Sequence, residues 1–273
     1  TQAELEALGH RVSIRKICEW LDVPRTSVYR EPLRRREYGV DEDLASEIRR
    51  VIDLFPYYGV RRITWRIRKN QPDRAVNWKK VHRILKLKGW ILNKKPRGMR
   101  PRVLAWRSRT DEPNRRWAID TSHFFTQRDG WCHITAVIDC CDRSIVGWRI
   151  SRSGKAQIAA AALEDALIRR NPSPGLKLRS DNGLVFGAEA FFKTVRGAQI
   201  SQEFITPYTP EQNGMIERWF RTLKEECLWL NNFKWLEEAR TTIEEFILRY
   251  NNDRPHRALG MLSPSEWSEK YAA

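Results

Sequence analysis

No run of eighteen apolar residues occurs in this 273-residue chain, and no signal-peptide pattern opens it, so neither a membrane-spanning helix nor export is indicated. Cysteine is scarce. The five cysteines (Cys18, Cys132, Cys140, Cys141 and Cys227) are odd in number and form no C-x-x-C pair. That excludes a disulfide framework and a zinc knuckle, and it suggests a reduced, cytoplasmic setting. Internal repeats and low-complexity tracts are absent. Acid is missing where base is dense: Lys86 to Arg109 holds nine basic residues and no Asp or Glu.

What is present is lopsided charge. Residues 1–116 carry 30 Lys and Arg against 14 Asp and Glu, whereas residues 117–273 carry 20 of each, so the whole net charge of +16 lies in the first half. A basic region joined to a near-neutral one is the electrostatic footprint of a phosphate-backbone binder with a partner domain. Double-stranded DNA is the expected partner, with binding that weakens steeply as salt rises.

The pattern divides the chain into four segments. In residues 1–38, Val12 to Leu21 reads as a short helix with Ile14, Ile17, Cys18 and Leu21 on one face. Asp22-Val-Pro follows, and a second helix starts at Arg25. This is a helix-turn-helix pattern, in which Arg25, Thr26, Ser27 and Tyr29 would face base edges; an ordinary helical hairpin gives the same pattern. Residues 39–95 read as a second helical DNA-binding domain. Apolar stripes recur at Leu44, Ile48, Val51 and Phe55, at Ile63 and Ile67, and at Val81, Ile84, Leu85 and Lys88. Pro72 breaks the chain and Asn77 caps the last helix. Its polar faces, with Arg61, Arg62, Arg66, Arg68, Lys79, Lys80, Arg83 and Lys86, are expected along phosphates. Residues 96–113 form a basic, Pro- and Gly-punctuated linker whose Arg97 and Arg100 could track a groove, or a hinge without contacts. Trp78, Trp90 and Trp106, lying among basic residues, are candidates for stacking on bases or sugars.

Residues 114–273 change character. Trp117–Thr126, Cys132–Asp139 and Ser144–Ile150 read as an antiparallel meander with turns at Gln127 and Cys140. Then come a helix at Ala156–Arg170, a strand at Lys177–Ser180, a helix at Ala188–Val195 and a strand at Gln199–Ile205. Meander, helix, strand, helix, strand, helix is the element order of a ribonuclease H-like α/β core with a mixed five-stranded sheet.

Three acids stand out on that scaffold. Asp120 falls mid-strand among apolar residues, where an unpaired carboxylate is costly unless a cation or donor answers it. Asp181 ends a strand in Arg179-Ser-Asp-Asn-Gly. Glu217 follows Asp181 with thirty-five residues between them, on a helix opened by Pro210-Glu-Gln-Asn-Gly. There Glu217, Arg221 and Lys224 share one face, while Ile216, Phe220 and Leu223 form the buried stripe. Taken alone, Glu217 and Arg221 are equally a surface ion pair. Three converging carboxylates suit two hard divalent ions, which position an oxygen nucleophile at phosphorus, stabilise the leaving oxygen and neutralise equatorial charge.

Trp117-Ala-Ile-Asp-Thr, Ala136-Val-Ile-Asp-Cys-Cys-Asp-Arg-Ser-Ile-Val-Gly-Trp, Ser180-Asp-Asn-Gly, Thr206-Pro-Tyr-Thr-Pro-Glu-Gln-Asn-Gly-Met-Ile-Glu-Arg, Thr222-Leu-Lys-Glu-Glu and Tyr250-Asn-Asn-Asp-Arg-Pro-His-Arg-Ala-Leu-Gly together resemble the catalytic subunit of the insertion-sequence-three family of bacterial transposases. The resemblance spans nearly the whole chain and implies a retroviral-integrase-type DDE core preceded by helical DNA-binding domains. It implies two Mg²⁺ or Mn²⁺ ions held by Asp120, Asp181 and Glu217, and Lys224 contacting the element end near the scissile phosphate. It also implies action on terminal inverted repeats and target DNA through a circular intermediate, at least a dimer at synapsis, and a frameshift fusion to an upstream helix-turn-helix and zipper segment, which a first residue other than Met fits. Two departures stand out: many members have Ser-Arg at Asp142-Arg143, and His at Arg179. The His-His-Cys-Cys zinc module of retroviral integrases is absent.

Competing assignments follow from other residues. Arg254-Pro-His-Arg superficially suggests a covalent recombinase cluster, but the resemblance makes it a C-terminal structural element. His123 and His133 read as packed or solvated rather than as ligands. Asp139 is the best alternative acid, and reads more simply as a turn residue bonded to backbone. An intact acid triad favours an active transposase over a DNA-binding protein of the same ancestry without chemistry.

Overall fold

In the computed structural model, residues 2–29, 39–92, 110–206 and 210–272 are described. They gather into two compact units, Thr1–Asp41 and Glu42–Ala273. The linker residues 96–109, with Arg97, Arg100 and Trp106, lie outside the described residues.

The first unit has three short helices, α1 (Gln2–Ala7), α2 (Ile14–Trp20) and α3 (Arg25–Tyr29). Ser13 caps α2 by accepting from the Lys16 amide, and Asp22 turns the chain towards α3 at a left-handed φ of 49°. A helix, a tight turn and a second helix therefore stand where the sequence predicts them. Of the anticipated stripe, Cys18 is buried and Leu21 is exposed.

The second unit opens with α4 (Glu42–Leu54), α5 (Val60–Asn70) and α6 (Trp78–Leu87). Their apolar stripes face one another: Leu44, Ile48, Val51, Ile63, Ile67, Val81, Ile84 and Leu85 are all buried. Asn77 caps α6, its side-chain oxygen accepting from the Lys79 amide at 2.9 Å. Lys88, placed on that stripe by spacing, is instead the C-cap of α6 and is exposed, reaching Glu42 at 2.9 Å. The helix has ended, so its 3.6-residue period no longer applies.

A five-stranded sheet follows, built from β1 (Arg116–Thr126), β2 (Gly130–Asp139), β3 (Ile145–Ser151), β4 (Lys177–Ser180) and β5 (Ser201–Phe204), in the spatial order β3-β2-β1-β4-β5. The first three are an antiparallel meander; β4 runs parallel to β1, and β5 parallel to β4. β5 begins two residues later than the spacing predicts, because Gln199 takes a left-handed φ of 54° on leaving the preceding helix. Helices α7 (Ala156–Arg170) and α8 (Glu189–Gly197) cover one face; α9 (Gly214–Glu226) and α10 (Leu236–Asn252) cover the other; α11 (Pro264–Ala272) follows.

Strand periodicity explains the two cores. Alternate residues of β1 point to opposite faces: Trp117 and Ile119 join the α7–α8 core, whereas Ala118 and Phe124 join the α9–α10 core. Gly147 lets α7 lie against β3, since a Cβ there would stand 2.2 Å from the Ala162 carbonyl oxygen. The mixed sheet, its strand order and its two helical layers are those of the ribonuclease H-like fold predicted from sequence, preceded by helices.

Candidate active site

Asp120 belongs to the same strand face as Ala118 and Phe124, and so points to the side covered by α9. The sheet register brings the second acid beside it. Ala118 of β1 pairs with Arg179 of β4 in parallel, and two residues further along each chain are Asp120 and Asp181. Adjacent strands lie about 4.8 Å apart. From above, α9 packs on β1 with Ile216, Trp219, Phe220 and Leu223 buried, which leaves Glu217 in its first turn exposed.

The electrostatics of Asp120 record this convergence. Burial first, then the charges of Asp181 and Glu217, push its pKa up to about 7, against a hydrogen bond from the Thr121 amide and the charge of Lys224. Like charges acting on one buried carboxyl are a site with an unmet demand for positive charge. Lys224, about two turns beyond Glu217, supplies part of it.

Among the described residues, no three His, Cys, Asp or Glu side chains stand close enough together as placed to share an ion. One oxygen of Asp120 accepts from the Thr121 amide at 2.7 Å, and one oxygen of Asp181 from the Gly183 amide at 2.9 Å. Each acid is thus turned towards its own backbone while repelling its neighbours. The donor set itself, all carboxylate oxygen and excess negative charge, matches a hard divalent ion.

The surroundings fix the loop ahead of α9. Arg179 donates to Glu203 of β5 at 2.9 Å and to the Gln212 carbonyl at 3.2 Å. The Gln212 amide side chain in turn bonds the Thr206 amide and hydroxyl. The residue that departs from the family pattern before Ser180 therefore ties the start of α9 to the sheet. Sequence reading passed over this role, because its partners lie 24 and 33 positions away.

The other expected residues divide. Asp139 is a structural acid: it accepts from the Cys141 and Asn114 amides, both at 2.7 Å, and from the Trp117 indole at 3.1 Å. Burial and the charge of Asp142 raise its pKa to about 6. The other departure, Asp142, is fully buried and bonded by Arg170, Ser144 and Ser268. His123 and His133 face each other across β1 and β2 with ring centroids 4.6 Å apart. His256 is buried, and burial with the charges of Arg254, Arg143 and Arg62 lowers its pKa to about 2, so the Arg254-Pro-His-Arg segment is structural.

Of the expected DNA contacts, Arg25, Thr26, Ser27 and Tyr29 are exposed on α3, as are Arg61 and Lys79 on α5 and α6, and Lys80 is half-buried. Arg221 lies 3.7 Å from Glu225. Three expected phosphate contacts are used within the molecule instead. Arg62 pairs with Glu226 at 3.0 Å, Arg66 with Asp253 at 2.6 Å, and Arg68 donates to the Val76 carbonyl. The pairing of α5 with Glu226 and Asp253 turns Arg62 and Arg66 inward, whereas Arg68 stays exposed.

A ribonuclease H-like sheet with an acid on its central strand, one on the parallel neighbour and one on the covering helix defines an integrase-type core. The integrase core domain family matches residues 110–210, and a second integrase core domain family matches residues 198–264. Over 272 residues the chain is 27% identical to the transposase InsD for insertion element IS2A/D/F/H/I/K of Escherichia coli, covering 96% of this chain and 86% of that protein. It is equally similar to the InsD transposase of element IS2-9 of E. coli strain K12, covering 96% and 85%. Among solved structures, a simian T-cell lymphotropic virus intasome in complex with a PP2A regulatory subunit aligns at a TM-score of 0.49 with 14% identity, covering 81% of this chain and 73% of that one. The HTLV-2 integrase catalytic core domain in complex with magnesium aligns at 0.44 with 16% identity, covering 56% and 95%. Residues 110–264 thus match integrase core domains, and the chain is similar along nearly its whole length to the transposases of insertion element IS2. No helix among its described residues is long and apolar enough to cross a membrane.

Proposed function

We propose that this transposase cleaves DNA at the ends of its element and joins the freed 3′-hydroxyls to target DNA by in-line displacement, without a covalent enzyme intermediate. The observation that carries this is the electrostatic convergence of Asp181, Glu217 and Lys224 on Asp120. Asp120, Asp181 and Glu217 would hold Mg²⁺ or Mn²⁺, two ions in all. Such ions, when bound, activate the attacking oxygen and stabilise the leaving one. The chain's own part is to present three carboxylates from separate elements on a rigid sheet and helix, with Lys224 beside them to hold the scissile phosphate.

The helix-turn-helix of residues 1–38 and the helices of residues 39–95 would bind the terminal inverted repeats. Arg25, Thr26, Ser27 and Tyr29 would lie at base edges, Arg61, Lys79 and Lys80 along phosphates, and Arg221 beside the catalytic glutamate. Arg97 and Arg100 in the segment 96–113 would track the backbone. Bringing two ends together calls for at least a dimer.

The test is a strand-transfer assay with element-end oligonucleotides and Mg²⁺. Asp120→Asn should lower joining by about a thousandfold, the upper range for removing one electrostatic element of a transition state, with end binding retained. Joining by the variant at the wild-type rate refutes the assignment.

A further inference from the structure

A groove of about 1490 Å³ separates α5 and α6 from α9 and the turn at Arg257–Met261. Its chemistry differs between walls. On one side Trp65, Trp78 and Tyr57 contribute half-buried rings, with the Arg61 guanidinium 4.2 Å above the Trp78 ring and the Lys69 ammonium 4.9 Å above that of Trp65. On the other side stand Arg218 and Arg221 of α9 with Arg257. Glu217 is followed at once by Arg218 and, one turn on, by Arg221, so α9 bears both the third acid and part of this groove.

We propose that this groove binds unpaired DNA, with bases stacked on Trp65 and Trp78 and phosphates held by Arg218, Arg221 and Arg257. The volume exceeds the roughly 300–1,000 Å³ of a small-molecule pocket and suits a run of nucleotides. A duplex is less suited, because its stacked bases do not offer their faces to tryptophan. Rings interleaved with guanidinium groups on one wall, with Arg218, Arg221 and Arg257 opposite, are the pairing that single strands need, since every base has a π-face and every linkage a charge. Glu226 faces the groove as well, but it is taken up by Arg62 and Arg254, and Glu225 lies 3.7 Å from Arg221. The proposal rests on the strand-transfer reading for the source of the unpaired strand alone.

The experiment is fluorescence anisotropy of a short labelled single strand and of a labelled duplex, with the full chain in chelator so that no joining occurs. The Trp65→Leu/Trp78→Leu double variant should lose single-strand affinity by about tenfold or more, the scale of one lost base stack, with duplex affinity within about twofold and Trp78→Phe close to wild type. Unchanged single-strand affinity overturns the proposal, and so does an equal loss for both DNAs in a variant that melts like wild type. Should the double variant not fold, ultraviolet crosslinking of a halogenated-uracil single strand to the wild-type chain decides: adducts within residues 57–78 support the groove, and adducts confined elsewhere overturn it. A chain that binds single strands here yet joins nothing would sink the proposed function and leave the groove standing.

Discussion

Glu226 and Arg254 form a bidentate pair in the interior of the molecule. Nε and Nη2 of Arg254 donate to the two carboxylate oxygens at 2.7 Å each, and both side chains are nearly inaccessible to water. Arg62 of α5 completes the cluster at 3.0 Å. Glu226 closes the helix that Glu217 opens, so this cluster fastens α5 to the helix bearing the third acid.

Removing the carboxylate should therefore destabilise the fold severely. Glu226→Gln leaves two guanidinium groups facing each other without an anion, and loss of one partner of a buried pair costs about 3–5 kcal/mol. Urea unfolding should show it. Arg62→Met, at the more accessible edge, should cost about 1 kcal/mol or less. Equal losses for the two variants would mean that the cluster is not organised around Glu226.

Ion-free protein should lose stability as pH rises, and Asp120 should be a principal cause. Its folded pKa of about 7 lies above the ordinary 3.8, so the unfolded chain releases this proton first. Stability is then fully present below the unfolded value and declines until pH passes about 7. Asp139, raised to about 6, contributes with the same sign but finishes earlier. In thermal melts from about pH 5 to 8, Asp120→Asn should flatten the decline between about 5 and 7. Adding Mg²⁺ should raise the wild-type melting temperature more at the upper end than at the lower. An identical Mg²⁺ response in the variant would remove Asp120 from the proposed metal site.

Asp139 should prove structural. Three donors, the amides of Asn114 and Cys141 and the indole of Trp117, point at it, so Asp139→Ala strands them. Each stranded donor costs about 1–3 kcal/mol, and the melting temperature should fall accordingly. Joining activity per folded molecule should stay near wild type. A catalytic defect larger than the folding defect would instead make Asp139 a fourth acid of the site.

Gly147→Ala tests the seat of α7. The added methyl would meet the Ala162 carbonyl oxygen at 2.2 Å and the Ala166 amide nitrogen at 2.9 Å, both backbone atoms that cannot rotate away. Overpacking typically costs about 1–3 kcal/mol. A variant as stable as wild type by denaturant unfolding would show that the helix shifts freely.

Local chemistry made much of this molecule legible. Short strand-like runs at Trp117–Thr126 and Cys132–Asp139, parted by turn residues, announced β1 and β2, and Asn77 marked the start of α6. The acids on β1, after β4 and on α9 were readable because neighbouring motifs come in a fixed order. The two short helices at Ile14–Trp20 and Arg25–Tyr29 were readable too, from apolar spacing and the Asp22-Val-Pro break between them.

By itself, then, the sequence determined the elements and their order, since those follow from apolar spacing and from which side chains tolerate which backbone, while the three acids were singled out by their motifs' resemblance to a family. Only the tertiary structure decided which charges remain outside. Arg62 and Glu226 are 164 positions apart, and Arg66 and Asp253 are 187 apart; no local pattern connects such pairs. It also decided that Asp120 lies alongside Asp181, because that neighbourhood depends on the parallel register of β1 with β4. Desolvation and like charge act through space rather than along the chain, so the raised pKa of Asp120 exists only once the sheet and α9 have closed over it.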